Sequence, residues 1–388
     1  GIPHSPGYQA PGSTAKVRMA AAAQEPNQAR GILGANDDFQ EYEQVTKVSY
    51  HLTEAADAAD SFDETFEFTT VELSGLLAAP DDPAEIAAVA KTLGPALKSI
   101  GFAVLTGHGI PEHLFDEAHA AIEPFFTAQP PASKSRFAAQ RKGSVNQGYF
   151  GLEETSQLHP DQVEGWVFCR RAFRVPKGCP TDDGLAAFWP DPSQEALFRT
   201  VVEAEQRLVV PLARAILHAL GEADDHALDA DLTHSNFGFR LNYYPPMTAE
   251  ALAAGAGRML GHEDVDLFTL LPASPVEGLQ VLNRETMKWV RMKAPPGSII
   301  LNSGDYLQRI TNDVIPSTTH RVAPPRDPAL RAVCRTSFPM AVYLNEDVVL
   351  KVLPSCGEPK YPNETAIDFH TKITAKYYGP SYRDTGED

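Results

Sequence analysis

Apolar residues recur at helical spacing from Pro83 to Ser99 in AEIAAVAKTLGPALKSI, merge into a short unbroken run in FAVLTG, and return to helical spacing in EHLFDEAHAAIEPFF. A period near 3.6 buries one stripe of a helix, whereas a brief apolar run bounded by Gly suits a buried strand, so this stretch predicts helix, strand, helix. A longer amphipathic stretch, SQEALFRTVVEAEQRLVVPLARAILHAL, predicts a support helix from Ser193 to Leu220. Ser193 is its expected cap, and Pro211 is where it should kink or break. After Phe237 the pattern changes to short β-type runs separated by Pro, Gly and Asn. That change predicts a mainly β protein with flanking helices (α+β), its core a jelly roll closed from two antiparallel sheets. FHTKITAKYY predicts a short C-terminal helix, to which the sequence assigns no chemistry.

Composition adds limits. The first seventy residues are rich in Ala, Gly, Pro and Gln, and between Asp37 and Glu67 acidic residues outnumber the single Lys47. Such a segment buries little, so an extended or partly disordered arm is expected, with folding over a site mouth as the functional alternative. The net charge of −18 over 388 residues argues against nucleic acid or an anionic membrane as partner, since both require a basic surface. Cys169, Cys179, Cys334 and Cys356 show neither CxxC pairing nor zinc-type spacing and read as reduced thiols. No apolar run approaches the roughly 20 residues that span a bilayer, and the expectation is a cytoplasmic monomer. The chain opens on Gly1 rather than Met, which makes Met19 a candidate start.

The candidate chemistry lies in GHEDVDLFTLL and STTHRV. In a strand, residues i and i+2 share a face, so His262 and Asp264 can offer an imidazole and a carboxylate to one metal ion, with His320 as a third ligand. Two imidazoles and one carboxylate leave positions open on a six-coordinate ion, as non-haem Fe(II) oxygenases require, although Zn²⁺ is a chemical rival for the same set. Glu263 should point away from that face, and Asp266 could share it. On a second strand, Arg335 and Ser337 again stand at i and i+2 and suit a carboxylate, through a guanidinium fork and a hydroxyl. Arg240, Asn242 and Tyr244 alternate with Leu241 and Tyr243, which predicts a polar strand face turned toward a cavity.

The order FRLNYYPP, HEDVDLFTLL, EGLQVLN, WVRMKAPPGSIILNSGDYLQRITN, STTHRV, RTSFPM, with GFAVLTGHGIP and QGYFGLEE upstream, resembles the isopenicillin-N-synthase-like branch of the Fe(II)/2-oxoglutarate-dependent dioxygenases. The likeness runs from about Val71 to Asn345. It implies a double-stranded β-helix core, Fe(II) on His262, Asp264 and His320, 2-oxoglutarate as co-substrate with O₂, and a small-molecule substrate that is hydroxylated, desaturated or cyclised with release of succinate and CO₂. In that resemblance Arg335 and Ser337 hold the far carboxylate of 2-oxoglutarate, with Tyr244 and Asn242 beside it. Arg240, Trp166, Phe168 and Arg170 are the candidates for substrate contact. The expected division is an acidic arm at 1–70, a helical lobe at 71–230, the jelly-roll catalytic core at 231–350 and a C-terminal extension at 351–388. The sequence departs from the family at Asp266, where Gly is frequent, and in a longer PPRDPALRAV segment before Arg335. Two rival readings share the scaffold: an oxidase that takes all electrons from its substrate and uses no 2-oxoglutarate, and a non-catalytic small-molecule receptor.

Overall fold

The computed structural model describes residues 62–152, 162–175, 182–249, 251 and 257–378. Residues 1–61 of the expected arm, Met19 and Cys179 lie outside them. The end of the arm is ordered: Phe62 packs on Leu282 and Trp289, and Phe66 and Phe68 pack near Phe102 and Val281. Three aromatic side chains within an acidic stretch are enough to dock it, against the expectation of a loose segment up to residue 70.

Along the chain the strands begin with β1 (Thr70–Glu72), β2 (Phe102–Thr106), β3 (Gln140–Lys142), β4 (Val145–Phe150), β5 (Glu164–Cys169) and β6 (Phe237–Tyr244). There follow β7 (Met259–His262), β8 (Phe268–Pro272), β9 (Leu279–Asn283), β10 (Lys288–Arg291), β11 (Ile299–Ser303), β12 (His320–Val322), β13 (Arg335–Ser337) and β14 (Met340–Val342). The larger sheet runs β1-β2-β11-β8-β14-β6-β5-β4-β3, with β13 also on β6, and the smaller runs β10-β9-β12-β7. Between β7 and β14 the chain passes repeatedly from one sheet to the other, which is the winding of a jelly roll. The larger sheet crosses residue 230, so strands of the N-terminal region and of the core share one hydrogen-bonded layer.

Three long helices back that sheet: α1 (Pro83–Ile100), α2 (Glu112–Thr127) and α3 (Glu195–Leu220). Asp82 caps α1 by accepting from the Ala84 N–H. α3 is continuous through Pro211. A proline removes one N–H from the helix ladder, and the buried stripe from Phe198 to Leu217 holds the rest in place. Ser193 does not cap α3. It sits in a preceding turn where the Asp191 carboxylate accepts from its N–H at 3.0 Å and its hydroxyl at 2.6 Å.

Alternation along β6 separates core from cavity. Phe237, Phe239, Leu241 and Tyr243 join the helical core, while Gly238, Arg240, Asn242 and Tyr244 face a cavity between the two sheets.

Candidate active site

His262 ends β7 and His320 begins β12, and the two stand opposite each other in the antiparallel register. Their rings lie 4.4 Å apart between centroids. Asp264 lies beyond the end of β7, so strand alternation is not what aims it. Its Oδ2 accepts from Asn302 Nδ2 at 2.8 Å and from Thr269 Oγ1 at 2.7 Å. Its Oδ1 is left 3.7 Å from His262 Nε2 and 3.8 Å from His320 Nε2. His320 is fixed in turn by a contact of Nδ1 with the Thr318 carbonyl at 3.1 Å and by the edge of the Phe102 ring. One donor atom from each of the three residues falls within 4.8 Å of the others. Burial alone would raise the Asp264 carboxyl, but the two imidazoles and the two hydrogen bonds outweigh it and hold the group below the usual carboxylate range.

The neighbouring acids behave differently. Glu263 turns its carboxylate to Arg284 at 3.3 Å and Thr319 at 3.0 Å. Asp266 does not share the ligand face: it is fully buried, with Oδ2 2.6 Å from Thr269 Oγ1 and Oδ1 without a partner. Burial, then the nearby charge of Asp264, pushes its carboxyl well above the ordinary value. Thr269 has one hydrogen and two carboxyl oxygens beside it, so a neutral Asp266 can donate to Thr269 while Thr269 donates to Asp264. Asp266 also explains Gly304 in NSGD, where any Cβ would come within 2.0 Å of Asp266 Oδ1.

At the other end of the cavity, Arg335 stands opposite Tyr244 and Ser337 opposite Asn242 in the β13–β6 pairing. Arg335 is 3% exposed, donates through Nε to the Val276 carbonyl at 3.2 Å, lies 4.9 Å from the Tyr244 ring centre, and leaves Nη1 without a partner. Burial presses its guanidinium below the ordinary value, with Tyr244 acting against the shift. Asn242 Nδ2 donates to Ser337 Oγ at 3.2 Å, and its Oδ1 has no protein partner. Behind the strand, His119 meets Thr336 Oγ1 at 2.8 Å; burial pushes this imidazole down to about 4, so it is neutral.

The structure brings Arg240 into the cavity and excludes three other expected substrate contacts. Trp166 and Phe168 lie on the opposite face of β5, sealed among Phe125, Trp189 and neighbouring aromatic rings. It is Val167, between them, that reaches the cavity. Alternation gave two possible faces for β5, and the aromatic one belongs to the core. Arg170 is also outside, bonded to the Ser235 carbonyl at 2.7 Å and stacked over Phe237.

Some residues on the cavity wall or near Arg335 carried no readable signal. Arg258, just before β7, is fully buried, donates to the Val333 carbonyl and is pushed down to about 10 by burial and by Arg335. From the C-terminal segment, α4 (Ala366–Tyr378) places His370 and Thr374 on the cavity wall. His370 bonds Tyr306 at 3.1 Å and the backbone of Val265 beside Asp264, and burial pushes it down to about 3. His108 is structural: Nε2 meets the Gly297 carbonyl at 2.8 Å and Nδ1 accepts from the Ile110 N–H.

The cavity holds about 260 Å³ and joins the two ends. Its chemistry is thus a two-imidazole, one-carboxylate donor set in the same cavity as a buried guanidinium whose Nη1 has no partner. Among the described residues, no helix is long and apolar enough to cross a membrane.

Comparison with known proteins fits this arrangement. The family model for the 2OG-Fe(II) oxygenase superfamily matches residues 235–339, and the model for the N-terminal region of non-haem dioxygenases in morphine synthesis matches residues 69–191. The 2-oxoglutarate-Fe(II) type oxidoreductase ppzC of Metarhizium majus is 29% identical over 310 residues, 73% of this chain and 80% of that protein. A 2OG-Fe(II) oxygenase family protein of Caulobacter crescentus superposes with a TM-score of 0.65 at 29% identity, over 80% of this chain and 99% of the other. A full-length Neurospora crassa protein, crystallised in complex with alpha-KG and thymine, superposes with a TM-score of 0.67 at 21% identity, over 84% and 100%.

Proposed function

The chain belongs to the Fe(II)/2-oxoglutarate-dependent dioxygenases, and from that premise we propose that it oxidises a small molecule, by hydroxylation in the first instance, in the cavity between the two sheets. The observation that carries this reading is the pairing, in one cavity, of the His262–Asp264–His320 donor set with the unpartnered Nη1 of Arg335.

His262, Asp264 and His320 fit Fe(II) by the chemistry of their donors: two neutral nitrogens, and one carboxylate that offsets part of the ion's charge without closing its coordination shell. Bound iron would supply O₂ activation, coupled to oxidative decarboxylation of 2-oxoglutarate to succinate and CO₂ and to oxidation of a substrate C–H bond. The protein's own part is positional. Asn302 and Thr269 fix the Asp264 carboxylate so that one oxygen stays free for metal. Arg335 receives the far carboxylate of 2-oxoglutarate, with Ser337 and Tyr244 assisting and Asn242 beside them. A charge-assisted fork there is worth about 1.5–3 kcal/mol, which fixes one end of the co-substrate and leaves its keto-acid end for the metal. The substrate then enters on the side of Val167 and Arg240. The net charge of −18 further supports a reading without a nucleic-acid partner.

Anaerobic addition of Fe(II) and 2-oxoglutarate is expected to give a weak metal-to-ligand charge-transfer absorption, and aerobic turnover to give succinate in proportion to product. Product formed at full rate without any 2-oxoglutarate would favour the oxidase reading instead.

A further inference from the structure

β13 carries Arg335 and Ser337 on its cavity face, and what holds that face in place lies behind it. We propose that His119 is a positioning residue for the co-substrate site, tying β13 to the loop after β8 so that the Arg335 guanidinium is fixed before 2-oxoglutarate arrives. The proposal deepens the oxygenase reading and rests on it for the identity of the anion at Arg335.

Helix and strand run in step. Alternation puts Arg335 and Ser337 on the cavity wall and turns Cys334, Thr336 and Phe338 the other way, toward α2. On α2, Phe115, His119 and Glu123 follow at four-residue intervals, about 6 Å of rise, which nearly equals two residues of strand, about 6.7 Å. Each meets its counterpart. The Phe115 and Phe338 rings lie 6.1 Å apart between centroids, His119 Nδ1 is 2.8 Å from Thr336 Oγ1, and the Cys334 thiol bonds the Glu123 carboxylate.

The middle contact reaches further than its neighbours. His119 Nε2 meets the Ala273 carbonyl at 3.3 Å; a carbonyl only accepts, so Nε2 carries the proton and Nδ1 of the neutral ring accepts from the Thr336 hydroxyl. Ala273 opens the loop that runs to Val276, and this loop returns two bonds to β13. Ser274 Oγ donates to the Thr336 carbonyl at 2.9 Å, and Arg335 Nε donates to the Val276 carbonyl at 3.2 Å. His119 thus sets loop against strand, and the loop sets the plane of the guanidinium whose Nη1 has no partner. A buried network of this kind loses more than one contact when a member is removed, because the groups left behind shift to find new partners.

The test titrates 2-oxoglutarate by calorimetry into the full chain loaded with Mn(II). His119→Leu removes both bonds at similar volume and Thr336→Val removes the hydroxyl alone; each should weaken 2-oxoglutarate binding about three- to tenfold, the effect of one net hydrogen bond. The double variant should bind within about twofold of His119→Leu, because both changes break the same contact. His119→Gln keeps a donor and an acceptor and should fall between wild type and His119→Leu. Mn(II) affinity should change by less than about twofold throughout, which separates positioning at Arg335 from a general loss of structure. Thr336→Val serves if His119→Leu does not fold. Hydrogen exchange on the ligand-free chain should quicken at 273–277 and 334–338 in these two variants, with α3 unchanged. Unaltered 2-oxoglutarate affinity in both single variants, additive losses in the double variant, or Mn(II) affinity falling in step overturns the proposal. Failure of wild type to bind 2-oxoglutarate strikes the oxygenase reading instead; exchange needs no co-substrate and still decides the positioning, which unchanged exchange at those two segments overturns.

Discussion

The two ends of the cavity are finished in different ways. At the histidine end the protein completes its own hydrogen bonding: Asp264 Oδ2 is held by Asn302 and Thr269, His320 Nδ1 is held by the Thr318 carbonyl, and the atoms left over converge on one point. At the β6 end the protein leaves a buried donor, Arg335 Nη1, without a partner. A metal needs donors held rigidly before it arrives, because its geometry is demanding and the carboxylate must present a chosen oxygen. Small-molecule anions bring their own acceptors, so an unpartnered donor is the corresponding preparation.

Breaking the histidine end should have the largest effect. His262→Ala or His320→Ala is expected to take Fe(II) occupancy and turnover below detection while the thermal transition stays cooperative. Metal analysis decides this, and full iron retention by both variants would contradict the ligand assignment.

At the open end, Arg335→Leu removes the fork for the co-substrate. The apparent Kd for 2-oxoglutarate should rise about ten- to a hundredfold with Fe(II) binding little changed, which a calorimetric titration separates. An equal loss of metal would show that the two ends are not independent.

Asn302→Ala tests whether the support of Asp264 matters as much as the ligand itself. Partners of this kind are typically worth roughly 10- to 100-fold in metal affinity, so the lower part of that range is expected here, where Thr269 remains. Unchanged affinity would mean that the loop backbone alone aims the carboxylate.

Glu205 sharpens the comparison from outside the cavity. It lies fully buried within α3, away from the cavity lining, and neither carboxyl oxygen has a partner. Burial raises its carboxyl well above the ordinary value. Below the ordinary carboxylate range the group is protonated in folded and unfolded chains alike and costs nothing in ionisation. As pH rises, the unfolded chain ionises first and the folded state loses relative stability. Glu205→Leu should therefore stabilise the fold by about 1–3 kcal/mol near neutral pH, with the gain shrinking toward pH 4, as followed by denaturant melts. Iron and 2-oxoglutarate binding should not change. An unpartnered buried group marks a ligand site only where a cavity meets it.

How much of this was readable follows from the kind of signal involved. His262 and His320, and the Arg335–Ser337 pair, sit in short motifs that the resemblance to a known family singled out, and the structure places all four on one cavity. The alternation of β6 was also legible, since Arg240, Asn242 and Tyr244 differ from their neighbours in polarity. On β5 the same rule misled. Alternation separates Trp166 and Phe168 from Val167 but does not say which side faces the cavity, and the larger side chains went to the core. The aim of Asp264 was hidden because Asn302 comes from β11 and carries no motif of its own. His370 and Thr374 arrive from α4 at the far end of the chain, through tertiary packing that no local pattern encodes. At Pro211 the sequence offered a kink or a break, and α3 runs through it without a break.

The claim that one end is completed by protein and the other by ligand is tested most directly by diffraction from crystals grown with Mn(II) and 2-oxoglutarate. The account predicts the metal on His262, Asp264 and His320, the keto-acid end of 2-oxoglutarate on the metal, and the far carboxylate in a fork that uses Arg335 Nη1. A far carboxylate bound to Arg240, or 2-oxoglutarate lying away from the metal with Arg335 Nη1 still unpartnered, would contradict it.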